Sequence, residues 1–125
     1  MIHLNNRQLL KTEFGDVQIG NEVIATIAGE TAKEVDGVLD IVGTFMDDIA
    51  KTLKQERKGI DIRVENEELI IELQLVLAYG MPIPDVATRV QKQVKQAVET
   101  LTGLKVGSVN IIVRTVKLIK DEPSE

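Results

Sequence analysis

A chain of 125 residues with 43 % apolar and 28 % charged side chains has the size of one domain, and its composition is far from the apolar-poor mix that stays disordered. Its 15 Lys and Arg against 20 Asp and Glu leave a net charge of -5, which repels a polyphosphate backbone and disfavours general nucleic-acid binding. With no cysteine, disulfides, thiolate metal sites and cysteine nucleophiles are all excluded, which fits a reducing cytoplasm.

Residues 1–12 show no hydrophobic period and, from Met1 to Arg7, no continuous apolar run of the kind a secretory signal needs. They are expected to be a flexible leader, followed by a single domain over 13–116 and a polar tail over 117–125. Phe14, Val17 and Ile19, punctuated by Gly15 and Gly20, predict a short first strand. From Asn21, read as an N-cap with Glu22 in the first turn, Val23, Ile24, Ile27 and Ala28 recur at helical spacing and predict a helix over 21–34. Gly29 inside it costs about 1 kcal/mol against alanine, and with Ala25, Ala28 and Ala32 beside it, close approach of another backbone is the expected compensation.

Asp36-Gly37 turns the chain into the short apolar strand of Val38, Leu39, Ile41 and Val42. Residues 43–58 then read as a helical charged insertion. Thr44 and Asp47 resemble a capping box, and Phe45, Met46, Ile49, Ala50 and Leu53 form a stripe that Gly59 closes.

Ile60, Ile62 and Val64 alternate with Asp61 and Arg63. Across an Asn66-Glu67 turn, Leu69, Ile71, Leu73, Leu75 and Leu77 share one face of a longer strand, a hairpin pattern. The opposite face carries Ile70, Glu72, Gln74, Val76 and Ala78, so it is half polar and needs no helix over it. Leu69 to Ala78 is the longest apolar stretch, far short of a membrane span. Pro84 opens a second helix over 84–102, with Val86, Val90, Val94, Ala97, Val98 and Leu101 on its stripe and Gly103 at its end. The last strand, from Val106 to Val116, puts Val109, Ile111 and Val113 on one face and Ser108, Asn110, Ile112 and Arg114 on the other. These elements predict an α+β fold, a two-layer sandwich of a mostly antiparallel sheet with two main helices packed on one face.

Reactive groups are sparse. His3 is the one histidine and lies in the leader; Ser108 and Ser124 are the two serines and have no general base near them in sequence. The carboxylate groups Glu30 with Glu34, Asp47 with Asp48, and Glu65, Glu67 and Glu68 lack ligand spacing and read as solvated surface. Phosphate-binding glycine loops are missing. No catalytic, cofactor-binding or metal-ligating residue is therefore expected. Arg89, Lys92 and Lys95 form a basic line on the second helix, with Arg63, Arg114 and Lys117 on the sheet. The aromatic platform or clamp loop of an RNA-binding sheet is absent, because Phe14, Phe45 and Tyr79 all sit at element ends. Two functions stay open: a protein–protein interaction module, or a regulator with a ligand pocket between the second helix and the sheet. For the first, the candidate partner surface is the open sheet face around Ile70, Val76 and Ile112, with Arg89 and Lys92 on the helix; self-association is a second use of that face.

Several segments carry a resemblance. The run Val17-Gln18-Ile19-Gly20-Asn21-Glu22-Val23-Ile24-Ala25-Thr26-Ile27-Ala28-Gly29 and then Glu34-Val35-Asp36-Gly37-Val38 resembles the opening of the alkaline-shock, or general-stress, protein family of Gram-positive bacteria. Tyr79-Gly80-Met81-Pro82-Ile83-Pro84-Asp85-Val86-Ala87, Thr102-Gly103-Leu104 and Val109-Asn110-Ile111 with Val113 follow in the family's order. The resemblance covers 15–116 and departs from the pattern at 45–58 and at Arg114-Thr115-Val116, where a glycine is more usual. It implies a cytoplasmic protein without catalytic activity or cofactor, linked to cell-envelope stress and in some relatives held at the membrane by a separate anchor protein. Other relatives are tied to regulation of fatty-acid synthesis. The shared motifs are turn, cap and core residues, so no catalytic residue is carried over.

Overall fold

The computed structural model describes residues 7–43 and 59–118. The helix expected within the insertion lies outside the described residues, as do 1–6 and 119–125. The described residues run β1 (Arg7–Thr12), β2 (Gly15–Gly20), α1 (Asn21–Lys33), β3 (Val38–Ile41), β4 (Ile60–Glu65), β5 (Glu68–Ala78), α2 (Ile83–Thr102) and β6 (Val106–Lys117).

The main sheet is built around β5. β3 and β4 pair antiparallel with it and β6 pairs parallel. β4 takes residues 68–73 of β5 and β3 takes 75–77, so the two short strands lie end to end along one edge. They meet at Gln74, whose carbonyl accepts from Val42 N at 2.9 Å and whose amide donates to Gly59 O at 2.8 Å. A parallel neighbour needs a crossover connection, and α2 supplies it between β5 and β6. The expected α+β sandwich is present, with β6 as its one parallel partner among the described strands.

Strict alternation on β5 decides which face is covered. Leu69, Ile71, Leu73, Leu75 and Leu77 are buried, while the residues between them are half-buried. Ile24, Ala28 and Ala32 of α1 and Val86, Val90, Val94 and Val98 of α2 complete the same core cluster. Burial of each large apolar side chain there contributes about 1.5–3 kcal/mol before chain entropy is subtracted. The small stripe on α1, where Gly29 is buried with Ala25, Ala28 and Ala32, suits close packing of a helix.

Asn66 and Glu67 both have positive φ, 53° and 68°, the twisted two-residue turn that lets β4 and β5 pair in register from Glu65 and Glu68 onward. α2 starts with Pro84 in its first turn and ends at Gly103 in the left-handed conformation, φ 78°, as its sequence predicts.

Four local expectations change. Residues 7–12, read as the end of a loose leader, form β1 and pair with β2 through a two-residue Glu13-Phe14 turn. This hairpin is tied to the helices by Gln8 Nε2, which donates to Asn21 Oδ1 at 2.9 Å, and by Ile19, which packs against the core. Its strands are too polar to show an apolar period. Phe14, assigned to the strand, sits in the turn and is 93 % exposed. Asn21 is the first helical residue rather than the cap; Gly20 holds the cap position without a side-chain bond. On the helix stripes Val23 and Leu101 are exposed, and Thr102 replaces Leu101 in the core. Its Oγ1 donates to Val98 O at 2.7 Å, which removes the cost of burying a hydroxyl.

Candidate interaction surface

Among the described residues, nothing covers the sheet face away from the helices. On β5 it presents Ile70, Glu72, Gln74, Val76 and Ala78, all half-buried. Register then fixes what lies beside them. Ile112 of β6 pairs with Gln74, one pleat from Val76, so Val76 and Ile112 are diagonal neighbours. Ile112 is 39 % exposed. Ile70 sits six residues before Val76, about 20 Å along the strand, with Glu72 and Gln74 between. The sequence-derived candidates thus share one face but form an apolar pair and a separate isoleucine rather than a continuous patch.

Arg89 and Lys92 are exposed on α2, in the helical layer that covers the other face. The structure does not bring them together with Ile70, Val76 and Ile112. A single partner segment lying on the sheet meets the first set only.

On β4, Arg63 lies between two acids on its own strand, with its Nη1 at 3.3 Å from Asp61 Oδ2 and its Nε at 3.4 Å from Glu65 Oε2. The hydrogen bond to Glu65, and then that to Asp61, raises the guanidinium pKa. Arg63 is across from Ile70 in the ladder, so this end of the face carries a charge-compensated triad.

The other end differs. β6 carries an irregularity between Val113 and Thr115, which pair with consecutive residues Leu75 and Val76. Arg114 is the extra residue. In a regular strand Arg114 and Lys117, three apart, would point to opposite faces; the bulge resets the alternation and brings both to the open side. Val116 meanwhile keeps its contact with the core. Arg114 Nη1 donates to Gln74 Oε1 across the face. The result is a groove of about 530 Å³ lined by Leu39, Asp40, Val76, Arg114, Thr115 and Lys117 among others.

In the sequence Arg114 and Lys117 stand out as sheet cations and Val76 as a surface residue. Alternation puts Arg114 on the face of Ile112, but nothing in the sequence brings Lys117 to it, because a bulge is an inserted residue with no composition of its own. The one available signal was the departure from the family pattern at Arg114-Thr115-Val116.

Among the described residues no three His, Cys, Asp or Glu side chains are grouped to hold a metal ion. Glu99, on α2, has its carboxyl held below the usual range, first by the hydrogen bond from the Val106 amide and then by Lys95. It accepts that amide at 2.9 Å, so the depressed pKa belongs to a structural clamp on β6 and lies away from the open face.

A strand-rich layer of this topology with a helical cover defines the class, a small two-layer α+β domain. The chain belongs to the alkaline-shock protein 23 family, of cell envelope-related function, whose family model matches residues 10–118. It is similar to the uncharacterized protein YloU of Bacillus subtilis, 35 % identical over 113 residues that cover 87 % of this chain and 94 % of that protein. YqhY of the same organism is 33 % identical over 102 residues, covering 80 % and 76 %. A stress response regulator gls24 homolog of Streptococcus pyogenes is 26 % identical over 115 residues, covering 90 % of this chain and 64 % of its own length. The resemblance to alkaline-shock and general-stress proteins read from the sequence is thereby shown.

Proposed function

We propose that this chain is a non-catalytic interaction module of the cell-envelope stress response, which captures a protein partner on the open face of its main sheet. The observation that carries the reading is the uncovered pair Val76 and Ile112, beside a groove, on a face that both helices leave free. A solvated sheet face needs no apolar residue, and one large side chain left 39 % exposed beside another gives a partner something to bury. Family membership supports the envelope setting, and the name of the Streptococcus relative supports the stress setting. No described helix is long and apolar enough to cross a membrane. We place the protein in the cytoplasm, reaching the membrane through a partner such as an anchor protein.

The alternative, a regulator of lipid synthesis with a small ligand between α2 and the sheet, is less well supported. Val86, Val90, Val94 and Val98 fill that interface at 0–1 % exposure, so no observation favours a pocket there.

The test is Ile112→Asp in the native host, with partners crosslinked in the cell and identified. Loss of a specific crosslinked partner, with the melting temperature unchanged, is the expected result. An unchanged set of partners would remove the open face from the account.

A further inference from the structure

The groove at the β3–β6 end of the open face has a charge character unlike the opposite end, where Arg63 lies between its two acids. Lys33, Arg63, Lys95 and Lys105 each hold a carboxylate, at 3.3–3.6 Å. Arg114 and Lys117 hold none among the described residues, and neither do Arg7 and Lys11 on β1 or Arg89 and Lys92 on α2; of these, Arg114 and Lys117 are the two that line the groove. Arg114 spends one N–H on the neutral amide of Gln74, which leaves four donors of its planar fork. Asp40 is the groove's one acid, its Oδ1 accepting the Ile41 amide at 2.8 Å, so the lining sets two cations against one carboxylate. On a chain of net charge -5 this is a local cationic spot over an apolar floor of Val76 and Leu39.

From this we infer that the partner's docking element is an extended acidic segment, with a carboxylate seated on Arg114 and Lys117 and an alternate apolar side chain on Val76. The inference rests on the open-face reading above and names the chemistry of its occupant. An extended peptide points successive side chains to opposite sides, so every second residue reaches the groove. A guanidinium fork takes a carboxylate through two parallel hydrogen bonds, and a lysine further along the strand adds a point charge. The bulge at Arg114 is the structural device: without it Lys117 would face the core side and the pair would not exist. Arg89 and Lys92 on α2 are also cationic, but Arg114 and Lys117 stand over the apolar Val76 and Leu39, which gives an amphipathic segment both contacts at once.

The probe is a fluorescein-labelled ten-residue peptide of alternating glutamate and leucine, titrated into the full chain and followed by anisotropy. Saturable binding that weakens at least tenfold in Lys117→Glu and in Arg114→Glu, and that falls as salt rises from about 50 to about 300 mM, is the expected result, on the order of the effect for a charge-assisted contact. Both variants are checked by thermal melt, and Lys117→Glu leaves the Gln74 bond intact should Arg114→Glu disturb the bulge. No binding, binding unaffected by both charge reversals, or stronger capture of a ten-nucleotide single-stranded RNA than of the peptide each overturns the inference. The Ile112→Asp crosslinking then separates the two levels. If that variant loses its cellular partner while the peptide does not bind, the open face stands and the acidic occupant falls. If Ile112→Asp keeps its partner, the underlying reading falls with it.

Discussion

Glu99 Oε2 accepts the backbone amide of Val106 at 2.9 Å, so a side chain near the end of α2 fixes the first residue of β6. Lys95, one turn earlier, donates to the carbonyl of the same Val106 at 2.9 Å, and Gln91, another turn back, donates to Val109 O at 2.9 Å. Positions 91, 95 and 99 form one line along the helix. Together they satisfy backbone groups of a strand that, among the described residues, is paired with β5 on one side only, and covering an edge in this way keeps it from pairing elsewhere.

That clamp is pH dependent. The folded pKa of Glu99 is lowered, first by the Val106 amide, so its contribution to stability is complete above the unfolded carboxyl value, near 4.5. It is lost as pH falls through the lower folded value. Glu99→Gln should therefore melt below the parent at pH 7, and the gap between them should narrow as the pH is lowered below 4.5. Parallel melting curves at all pH values would show that the carboxylate charge contributes nothing.

Gly59 has φ +82°, and a Cβ there would collide with Val42 O. Gly80 also has positive φ, +115°, but a Cβ meets nothing within 4 Å. Gly80→Ala should cost only the backbone conformation, on the order of 1–2 kcal/mol. Gly59→Ala adds a clash with backbone that cannot move aside and should cost clearly more. Urea denaturation of the two variants measures the difference, and equal losses would mean that the approach of Val42 to Gly59 is not tight.

Leu73 is fully buried on the helix-covered face of β5. Leu73→Ala should destabilise by about 2–5 kcal/mol, the range for a leucine truncated in a packed core. Val64→Ala, at an exposed position on β4, should stay within about 0.5 kcal/mol. Val64 pairs with Leu69 on the same face but at its exposed margin, so a midpoint shift of similar size in both would contradict the burial of Leu73 beneath the helices.

The main sheet and α2 were legible because their signals are periodic: the alternation from Leu69 to Leu77, the valines every fourth residue from Val86 to Val98, and the Asn66-Glu67 turn. β1 was not, since Arg7–Thr12 is a polar strand whose order comes from pairing with β2 and from the Gln8 bond to Asn21. Leu101 is the more hydrophobic of the two neighbours, but Thr102 takes the step of four from Val98 that keeps to the core side of α2. Of the candidate surface, Ile70, Val76 and Ile112 share one face as their alternation requires. Alternation already puts Arg114 on the face of Ile112 but sends Lys117 to the other, and only the bulge restores Lys117 to the open side.

The most direct test is a photocrosslinking amino acid introduced at Ile112 or at Lys92 in the native cell. The same partner captured from position 112 and not from position 92 is the predicted outcome. Capture from 92 alone would put the contact on the helical layer and contradict the open-face account.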